Sequence, residues 1–187
     1  MEAMQTNFDL TDEQEMIRDT VRRFANEVVA PGAAYADEHQ QLNESAWKEM
    51  CELGLAGLPF SEECGCTGLD NLSYIIAVEE LSRVCGSTGL TLAAHVSLGT
   101  WPIYEFGSDA LKKRYLPGLC SGEFMGAYGL TEPNAGSDSA GTQTTAVLDG
   151  EEYIINGAKC FITNGSYAKC FVITVQTDKS LGAKGIM

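Results

Sequence analysis

The sequence predicts an α+β fold, in which an all-helical N-terminal domain at residues 1–121 precedes part of an antiparallel β-domain at residues 122–187. Three observations predict this order. Apolar residues in the first part recur at helical spacing between capping residues. In the second part the pattern changes to that of strands, rich in aromatic and β-branched residues and separated by Asn-Gly and Asp-Gly turns. The composition, with 44% hydrophobic and 20% charged residues, is typical of a folded globular protein.

The first predicted helix starts at a capping box. Thr11 and Gln14 have the spacing at which each side chain can accept a hydrogen bond from the backbone N–H of the other. Apolar residues then recur at spacings of three and four along residues 17–28, which is the periodicity of a helix with one buried face. Pro31 is expected to end this helix, because proline has no N–H to donate and its ring clashes with the preceding turn.

The remaining helices are bounded by similar signals. Asn43 or Ser45 can cap the second helix, which is predicted to end at Gly54. Three further helices are predicted at residues 71–85, 88–106 and 108–119. The middle one of these three is apolar nearly all round, so we expect it to be buried, and we expect Pro102 to bend or break it.

The second part of the chain is predicted to be a β-meander or a barrel wall. Strands are predicted at residues 124–130, 142–148, 152–155, 159–163 and 169–176. Asp149-Gly150 and Asn156-Gly157 are predicted as hairpin turns, because glycine adopts the positive φ that such turns require. The last strand looks unfinished at Met187 and would leave an exposed edge, so the chain is expected to be incomplete as a functional unit.

The charge balance excludes some partners. The 12 Lys and Arg residues against 26 Asp and Glu residues give a formal charge of -14, so nucleic acid is not an expected partner. Residues 1–10 carry acids and amides where a secretory signal needs a basic start, and no run approaches the roughly 18 apolar residues of a membrane span. We therefore expect a cytoplasmic protein without membrane association.

The cysteines and histidines do not predict a metal site. Seven cysteines lie at irregular spacings, and the close pair Cys64 and Cys66 has no second pair of Cys or His nearby. His95 lies on the apolar helix and is interpreted as a core histidine whose ring nitrogens are satisfied. His39 lies in a polar, acidic stretch and is assigned no role.

A loop rich in glycine and serine follows the first predicted strand. Residues 128–138 read YGLTEPNAGSD, and residues 161–165 read FITNG. Backbone N–H groups and hydroxyls of such a loop can bind a ring carbonyl or a pyrophosphate, because glycine lets the backbone approach closely. On composition alone, however, an ordinary turn is the favoured interpretation of this loop.

The two motifs together resemble the flavin-binding segments of the acyl-CoA dehydrogenase family, and the short-chain, butyryl-CoA branch looks most similar. The resemblance extends over nearly the whole chain. It implies an N-terminal helical domain, a middle β-domain and a C-terminal four-helix domain, with FAD between the last two. This chain would supply the first domain and part of the second, without the C-terminal helical domain.

The resemblance also implies roles for individual residues. The implied cofactor-binding residues are Tyr128, Leu130, Thr131, Gly136, Ser137, Phe161, Ile162 and Thr163. The first three would line the isoalloxazine ring, Gly136 and Ser137 would approach the pyrophosphate, and the FIT segment would pack against the face and edge of the flavin. Ser137 would also contact the acyl-CoA substrate. Trp is commoner than Phe at position 161 in the family, but either ring can stack.

The reaction implied by the resemblance belongs to fatty acid metabolism. A carboxylate base removes the α-proton of an acyl-CoA thioester, the β-hydrogen leaves as hydride to the flavin, and the product is a trans-2-enoyl-CoA. The family's base lies in the C-terminal domain, so no catalytic residue is predicted here. Structural roles are favoured for the four acids that could be mistaken for it, Glu79, Glu80, Glu123 and Glu132.

The resemblance implies electron-transfer flavoprotein as a partner and a homo-oligomer for the full-length enzyme. Two alternatives stay open. The chain could be a truncated, non-catalytic fragment or partner subunit, because the implied base is missing. It could also belong to an acyl-CoA oxidase or a flavin monooxygenase, because these enzymes share similar loops on the same scaffold.

Overall fold

The computed structural model describes residues 9–187, so most of residues 1–10, which predict no secretory signal, lies outside the described residues. The chain divides into two compact units, one ending at Leu92 and the other spanning Ala93–Met187. Helices precede a small β-domain along the chain, which confirms the predicted fold class. The domain boundary at residue 121 stays a prediction.

The first unit is helical, and two of its helices start at predicted caps. The α-helices are α1 (Asp12–Phe24), α2 (Ala30–Glu38), α3 (Glu44–Glu52), α4 (Asn71–Val84) and α5 (Gly86–Ala93). The Thr11 hydroxyl accepts from the Gln14 N–H at 3.2 Å, and the Gln14 side chain accepts from the Thr11 N–H at 3.0 Å. Of the two candidate caps for α3, Asn43 is the one used, accepting from the Ala46 N–H at 3.1 Å.

A buried carboxylate joins α1 to α4. Glu80 is 5% exposed and accepts hydrogen bonds from Arg22 on α1 and from Arg83 on its own helix. The hydrogen bond from Arg22 is the main cause that holds the pKa of Glu80 below its ordinary value, against the opposing effect of burial. Apolar side chains, including Val21 and Leu81, fill the core beside this ion pair. The structural interpretation of Glu80 is therefore confirmed.

Three prolines lie inside helical segments, and two of them follow a π-helical turn, whereas Pro117 lies near the end of the helix Asp109–Cys120. Pro31 in α2 follows a π-helical turn at Ala25–Val29, and Pro102 in α6 (Trp101–Phe106) follows another at Ala94–Thr100. Proline cannot donate to the carbonyl four residues back, and its ring would clash there. A π turn widens the helix locally and relieves both problems. The predicted helix end at Pro31 is therefore wrong, and the break expected at Pro102 takes the form of this turn.

The second unit contains the described strands. After α6 come α7 (Asp109–Cys120), β1 (Gly126–Gly129), β2 (Thr145–Asp149), β3 (Glu152–Asn156) and β4 (Cys170–Ile173). Strands β2 and β3 form the hairpin predicted at Asp149-Gly150, where Gly150 has a φ of 65°. Strand β1 pairs in parallel with β4, with Gly126 opposite Cys170. The prediction of a wholly antiparallel domain is therefore wrong for this pair.

The strand predicted at residues 159–163 does not form. Phe161 and Asn164 have φ angles of 55° and 67°, which lie in the left-handed region and cannot continue an extended strand. The FITNG motif is instead a turn, closed by hydrogen bonds from the Gly165 N–H to the Ile162 carbonyl and from the Ala168 N–H to the Asn164 carbonyl. Aromatic and β-branched residues predicted a strand here, but the turn overrides their preference.

His95 connects the second π turn to β1. It is fully buried, its Nδ1 accepts from the Gly126 N–H at 2.9 Å, and its Nε2 lies 3.0 Å from the Leu119 carbonyl oxygen. A neutral ring with its proton on Nε2 satisfies both contacts. The interpretation of His95 as a satisfied core histidine is therefore confirmed.

Gly99 lets the π turn approach β1 closely, and replacing it should destabilise the protein. A Cβ at Gly99 would lie 2.6 Å from the backbone carbonyl carbon of Gly126, so Gly99→Ala must shift one backbone against the other. We expect the free energy of unfolding in urea to fall by about 1–3 kcal/mol. Gly86→Ala is the control, because its Cβ would meet nothing within 4 Å. Equal losses from both variants would contradict this account.

The sequence predicted neither a membrane span nor a metal site. No helix among residues 9–187 is long and apolar enough to cross a membrane. Within the same residues, no group of three or more His, Cys, Asp and Glu side chains is gathered as a metal site would require.

Candidate functional site

The structure brings most of the predicted site residues to one cleft in the second unit. This cleft has a volume of about 230 Å³ and is lined by Ala94, Leu98, Tyr128, Leu130, Thr131, Phe161, Ile162 and Thr163. Six of the eight predicted cofactor-binding residues are among them. The other two, Gly136 and Ser137, are exposed and do not line this cleft. Two motifs that are separated in sequence therefore meet at one place.

Hydrogen bonds to backbone carbonyls hold the two motifs together. The Cys160 N–H donates to the Thr131 carbonyl at 2.9 Å, which joins the residue before FITNG to the loop after β1. The Asn164 side-chain amide donates to the Gly126 carbonyl at 3.3 Å, so the turn is also fixed to the start of β1. The cleft is therefore framed by bonds that do not depend on any bound molecule.

A buried ion pair adjoins the cleft, because Lys159 binds the carbonyl of Leu130, which lines it. Lys159 Nζ is 2.8 Å from Glu132 Oε1, and their side chains are only 10% and 4% exposed. The ammonium also donates to the Leu130 carbonyl at 2.9 Å and to the Thr174 hydroxyl at 3.2 Å. The carboxylate accepts from the backbone N–H groups of Gln143 and Thr144 at 2.7 Å and 3.0 Å. One ion pair thus connects four chain segments, which confirms the structural interpretation of Glu132.

The surroundings of Glu132 strongly favour its ionised form. Burial alone would raise the pKa of this carboxyl group, but the hydrogen bonds from Lys159, Gln143 and Thr144 outweigh burial and lower the pKa from its ordinary 4.5 to about 2. The carboxylate is therefore a fixed negative charge at neutral pH. It is unsuited to proton transfer at neutral pH.

Glu132 should make stability depend on pH in the acid range. Because its folded-state pKa lies below that of an unfolded glutamate, ionised Glu132 stabilises the folded state above pH 4.5, and this contribution is lost as the pH falls toward 2. We expect the wild-type protein to lose about 3 kcal/mol more than Glu132→Gln between pH 6 and pH 2 in urea unfolding. Glu151→Gln, at an exposed turn position, is the control. Parallel pH curves for wild type and Glu132→Gln would contradict the prediction.

Phe161 presents an aromatic ring to solvent at the edge of the cleft. It is 92% exposed, and its φ of 55° lies in a region that residues with a Cβ rarely occupy. Phe161 and Ile162 also line a second, open cleft of about 460 Å³ that reaches Lys159 and Phe171. Exposed aromatic surface and left-handed backbone at one residue are typical of a site that binds a ligand.

The cleft combines apolar walls with free hydrogen-bond donors. Thr131 and Thr163 line it, and within residues 9–187 neither their hydroxyls nor their backbone N–H groups donate a hydrogen bond. An exposed ring face beside unpaired donors suits a flat aromatic group with polar edge atoms. The isoalloxazine ring of a flavin has this chemistry, so the residues present fit the cofactor that the resemblance implies.

Three residues of the site were not predicted from the sequence. Ala94 and Leu98 line the cleft from the π turn, where their i, i+4 spacing places them on one face. Because that helix is apolar nearly all round, it was expected to be buried, and no surface facing a cleft was predicted. Lys159 was also missed, although a lysine directly before an apolar turn and a glutamate in the other motif were signals that could have suggested an ion pair.

Gly136 and Ser137 lie on a separate loop of the first motif. A tight turn precedes them, in which Glu132 and Ala135 exchange backbone hydrogen bonds of 2.9 Å and 3.2 Å. Both residues are exposed, and a Cβ added at Gly136 would meet nothing within 4 Å. Their implied contacts with a pyrophosphate, and the substrate contact of Ser137, stay predictions.

Family models match almost the whole chain. The model of the acyl-CoA dehydrogenase N-terminal domain matches residues 11–123, and that of the acyl-CoA dehydrogenase middle domain matches residues 127–187. A short-chain specific acyl-CoA dehydrogenase of Clostridium acetobutylicum is 54% identical over 180 residues, which cover 96% of this chain and 48% of that relative. The chain spans about half the length of the curated relatives it matches.

Solved structures have the same fold. Butyryl-CoA dehydrogenase from Megasphaera elsdenii is 40% identical with a TM-score of 0.92, over 97% of this chain and 48% of that chain. An acyl-CoA dehydrogenase from Bacillus anthracis, solved in complex with FAD, is 42% identical with a TM-score of 0.85, over 92% of this chain and 31% of that chain. The fold similarity therefore includes a protein whose structure holds a flavin.

Proposed function

Because the chain belongs to the acyl-CoA dehydrogenase family, we propose that its second unit forms one wall of an FAD site. In the whole protein, this site would serve the oxidation of a short-chain acyl-CoA thioester to the trans-2-enoyl-CoA. The similarity to a short-chain specific dehydrogenase and to butyryl-CoA dehydrogenase supports the short acyl chain.

One observation carries this proposal. The YGLTEPNAGSD and FITNG motifs converge on a single cleft, where Phe161 offers an exposed ring and two threonines offer unpaired donors. An ordinary turn, the favoured interpretation of the first motif on composition alone, would not require a second motif at the same place. The convergence therefore supports a binding role for both segments.

The chain's own residues would position the cofactor. In this proposal Phe161 stacks on the ring face, while Tyr128, Leu130, Ile162 and the two threonines of the cleft surround the ring. Gly136 and Ser137 approach the pyrophosphate, and Ser137 also contacts the acyl-CoA. When bound, the flavin supplies the hydride acceptor for the β-carbon of the substrate. No residue of this chain is proposed as the catalytic base.

Two other features of the proposal rest on the family resemblance, a homo-oligomeric full-length enzyme and electron-transfer flavoprotein as the electron acceptor. The proposed domain boundary at residue 121 rests on the change from helical to strand periodicity, and the proposed cytoplasmic location rests on the sequence alone. Reduction of the flavin by butyryl-CoA, followed by reoxidation with oxygen or with electron-transfer flavoprotein, tests the acceptor. Rapid reoxidation by oxygen alone would favour an acyl-CoA oxidase.

Phe161→Leu should weaken FAD binding by about two- to tenfold, because stacking on an aromatic ring contributes about 0.5–1.5 kcal/mol beyond the apolar area. FAD would be titrated into the flavin-free protein, expressed from its complete reading frame, and followed by visible absorbance. Phe106→Leu is the matched control, because Phe106 is 82% exposed and does not line the cleft. A wild-type protein that binds no FAD would refute the proposed function, and equal effects of both variants would refute the role of Phe161.

A further inference from the structure

The carbonyl group that Lys159 binds belongs to the same peptide unit as the Thr131 N–H. Lys159 Nζ donates to the Leu130 oxygen at 2.9 Å, and the described chain contains no cis peptide bond. In a trans peptide the N–H points away from the carbonyl, so the Thr131 N–H points away from the ammonium. A cation at one end of this peptide therefore acts on a donor at the other end.

A charged donor on a carbonyl strengthens the N–H of the same peptide. Hydrogen bonds to ionised groups are about twice as strong as neutral ones, and linked hydrogen bonds polarise one another in a low-dielectric environment. Lys159 is only 10% exposed, so solvent weakens its effect little. The Thr131 N–H has no acceptor among residues 9–187, although Thr131 lines the cleft. This donor is therefore available to a ligand.

We propose that Lys159 is a positioning residue that polarises the Leu130–Thr131 peptide and so raises the affinity of the cleft for the reduced flavin over the oxidised flavin. The inference rests on the proposed function, because it presupposes a flavin in the cleft. A reduced flavin carries more negative charge on its ring than an oxidised one, and a stronger N–H donor stabilises that added charge.

Glu132, the ion-pair partner of Lys159, allows a test that depends on the direction in which the flavin reduction potential shifts. Glu132 places a negative charge 2.8 Å from the ammonium and so reduces the positive field that Lys159 exerts. Removing Lys159 leaves an unbalanced negative charge next to the cleft, whereas neutralising Glu132 leaves an unbalanced positive one. The two changes should therefore shift the flavin reduction potential in opposite directions. If the two changes only disturbed the packing of the site, both would shift the reduction potential in the same direction.

The experiment is a spectroscopic titration of the flavin reduction potential in the FAD-loaded protein from the complete reading frame. For Lys159→Met we expect affinity for reduced flavin to fall about tenfold more than affinity for oxidised flavin, which lowers the two-electron potential by about 30 mV. For Glu132→Gln we expect a rise. Lys169→Met removes an exposed lysine from the same unit and should leave the potential unchanged.

Each outcome decides between the possibilities. Opposite shifts for the two variants support the inference, and shifts of the same sign, or none, overturn it. If Lys159→Met does not fold, Glu132→Gln alone still decides, because an unchanged or lowered potential in that variant overturns the inference. A wild-type protein that binds no flavin refutes the proposed function instead, so the two failures are distinguishable.

Discussion

Replacing Lys159 by methionine is expected to lower the free energy of unfolding by about 3–5 kcal/mol. Methionine keeps most of the side-chain volume, so the loss comes from leaving the Glu132 carboxylate buried without its counter-ion. The Leu130 carbonyl and the Thr174 hydroxyl lose the same donor. Urea unfolding at pH 7, monitored by far-UV circular dichroism, measures the effect.

The matched control is Lys169→Met, which removes an exposed lysine and should change the free energy of unfolding by no more than about 0.5 kcal/mol. A double-mutant cycle with Glu132→Gln isolates the contribution of the pair. The double variant should be more stable than the sum of the two single losses implies. Additive losses would show that the two side chains do not stabilise each other.

His95→Phe is expected to cost about 1–3 kcal/mol. Phenylalanine fills a similar space but cannot hydrogen-bond, so the Gly126 N–H loses its acceptor in the interior. The Leu119 carbonyl loses the imidazole donor but still accepts from the Gly122 N–H at 3.1 Å. An unsatisfied buried group costs about 1–3 kcal/mol. Thermal unfolding followed by near-UV circular dichroism would measure the loss.

His39→Phe provides the comparison for that variant. His39 is exposed, and its Nδ1 lies near the carbonyl of Tyr35 within the same helical segment. Water can replace that contact, so the change should stay within about 0.5 kcal/mol. Similar losses from both histidine variants would mean that burial and bonding at His95 contribute nothing specific.

The helical part of the fold was predictable because its signals are local. The capping box at Thr11 and Gln14 depends on residues three apart, and the Asn43 cap has the same short range. The end predicted at Pro31 was wrong because a π turn lets the helix continue past the proline. A distortion of this kind depends on how the helix packs, and the spacing of residues in the sequence does not predict it.

The β-domain was less predictable because its pairing is long-range. The Asp149-Gly150 hairpin joins neighbouring strands and was predicted correctly. The parallel pairing of β1 with β4 depends on a turn at FITNG, where Phe161 adopts a backbone conformation that its residue type disfavours. Strand propensity measures the fit of a side chain to a pleated surface, and here the tertiary structure overrides it.

The residues of the candidate site also differ in whether the sequence could predict them. Six residues of the cleft were predicted from the two motifs, because the exact residue order of those motifs is more specific than their composition. Ala94 and Leu98 enter from a helix that is distant in sequence, so only the folded structure brings them to the cleft. The contacts of Lys159 span residues 130 to 174 and could not be inferred from local spacing.

The pairing of Gly126 with Cys170 closes a long loop of chain, and that loop contains both motifs of the cleft. Loop closure costs conformational entropy that helix formation avoids, so distant pairings form more slowly than local ones. We therefore expect the helices to form first and the cleft to form only when β4 pairs with β1. A chain that has just left the ribosome would contain helices before it has any surface that can hold a cofactor.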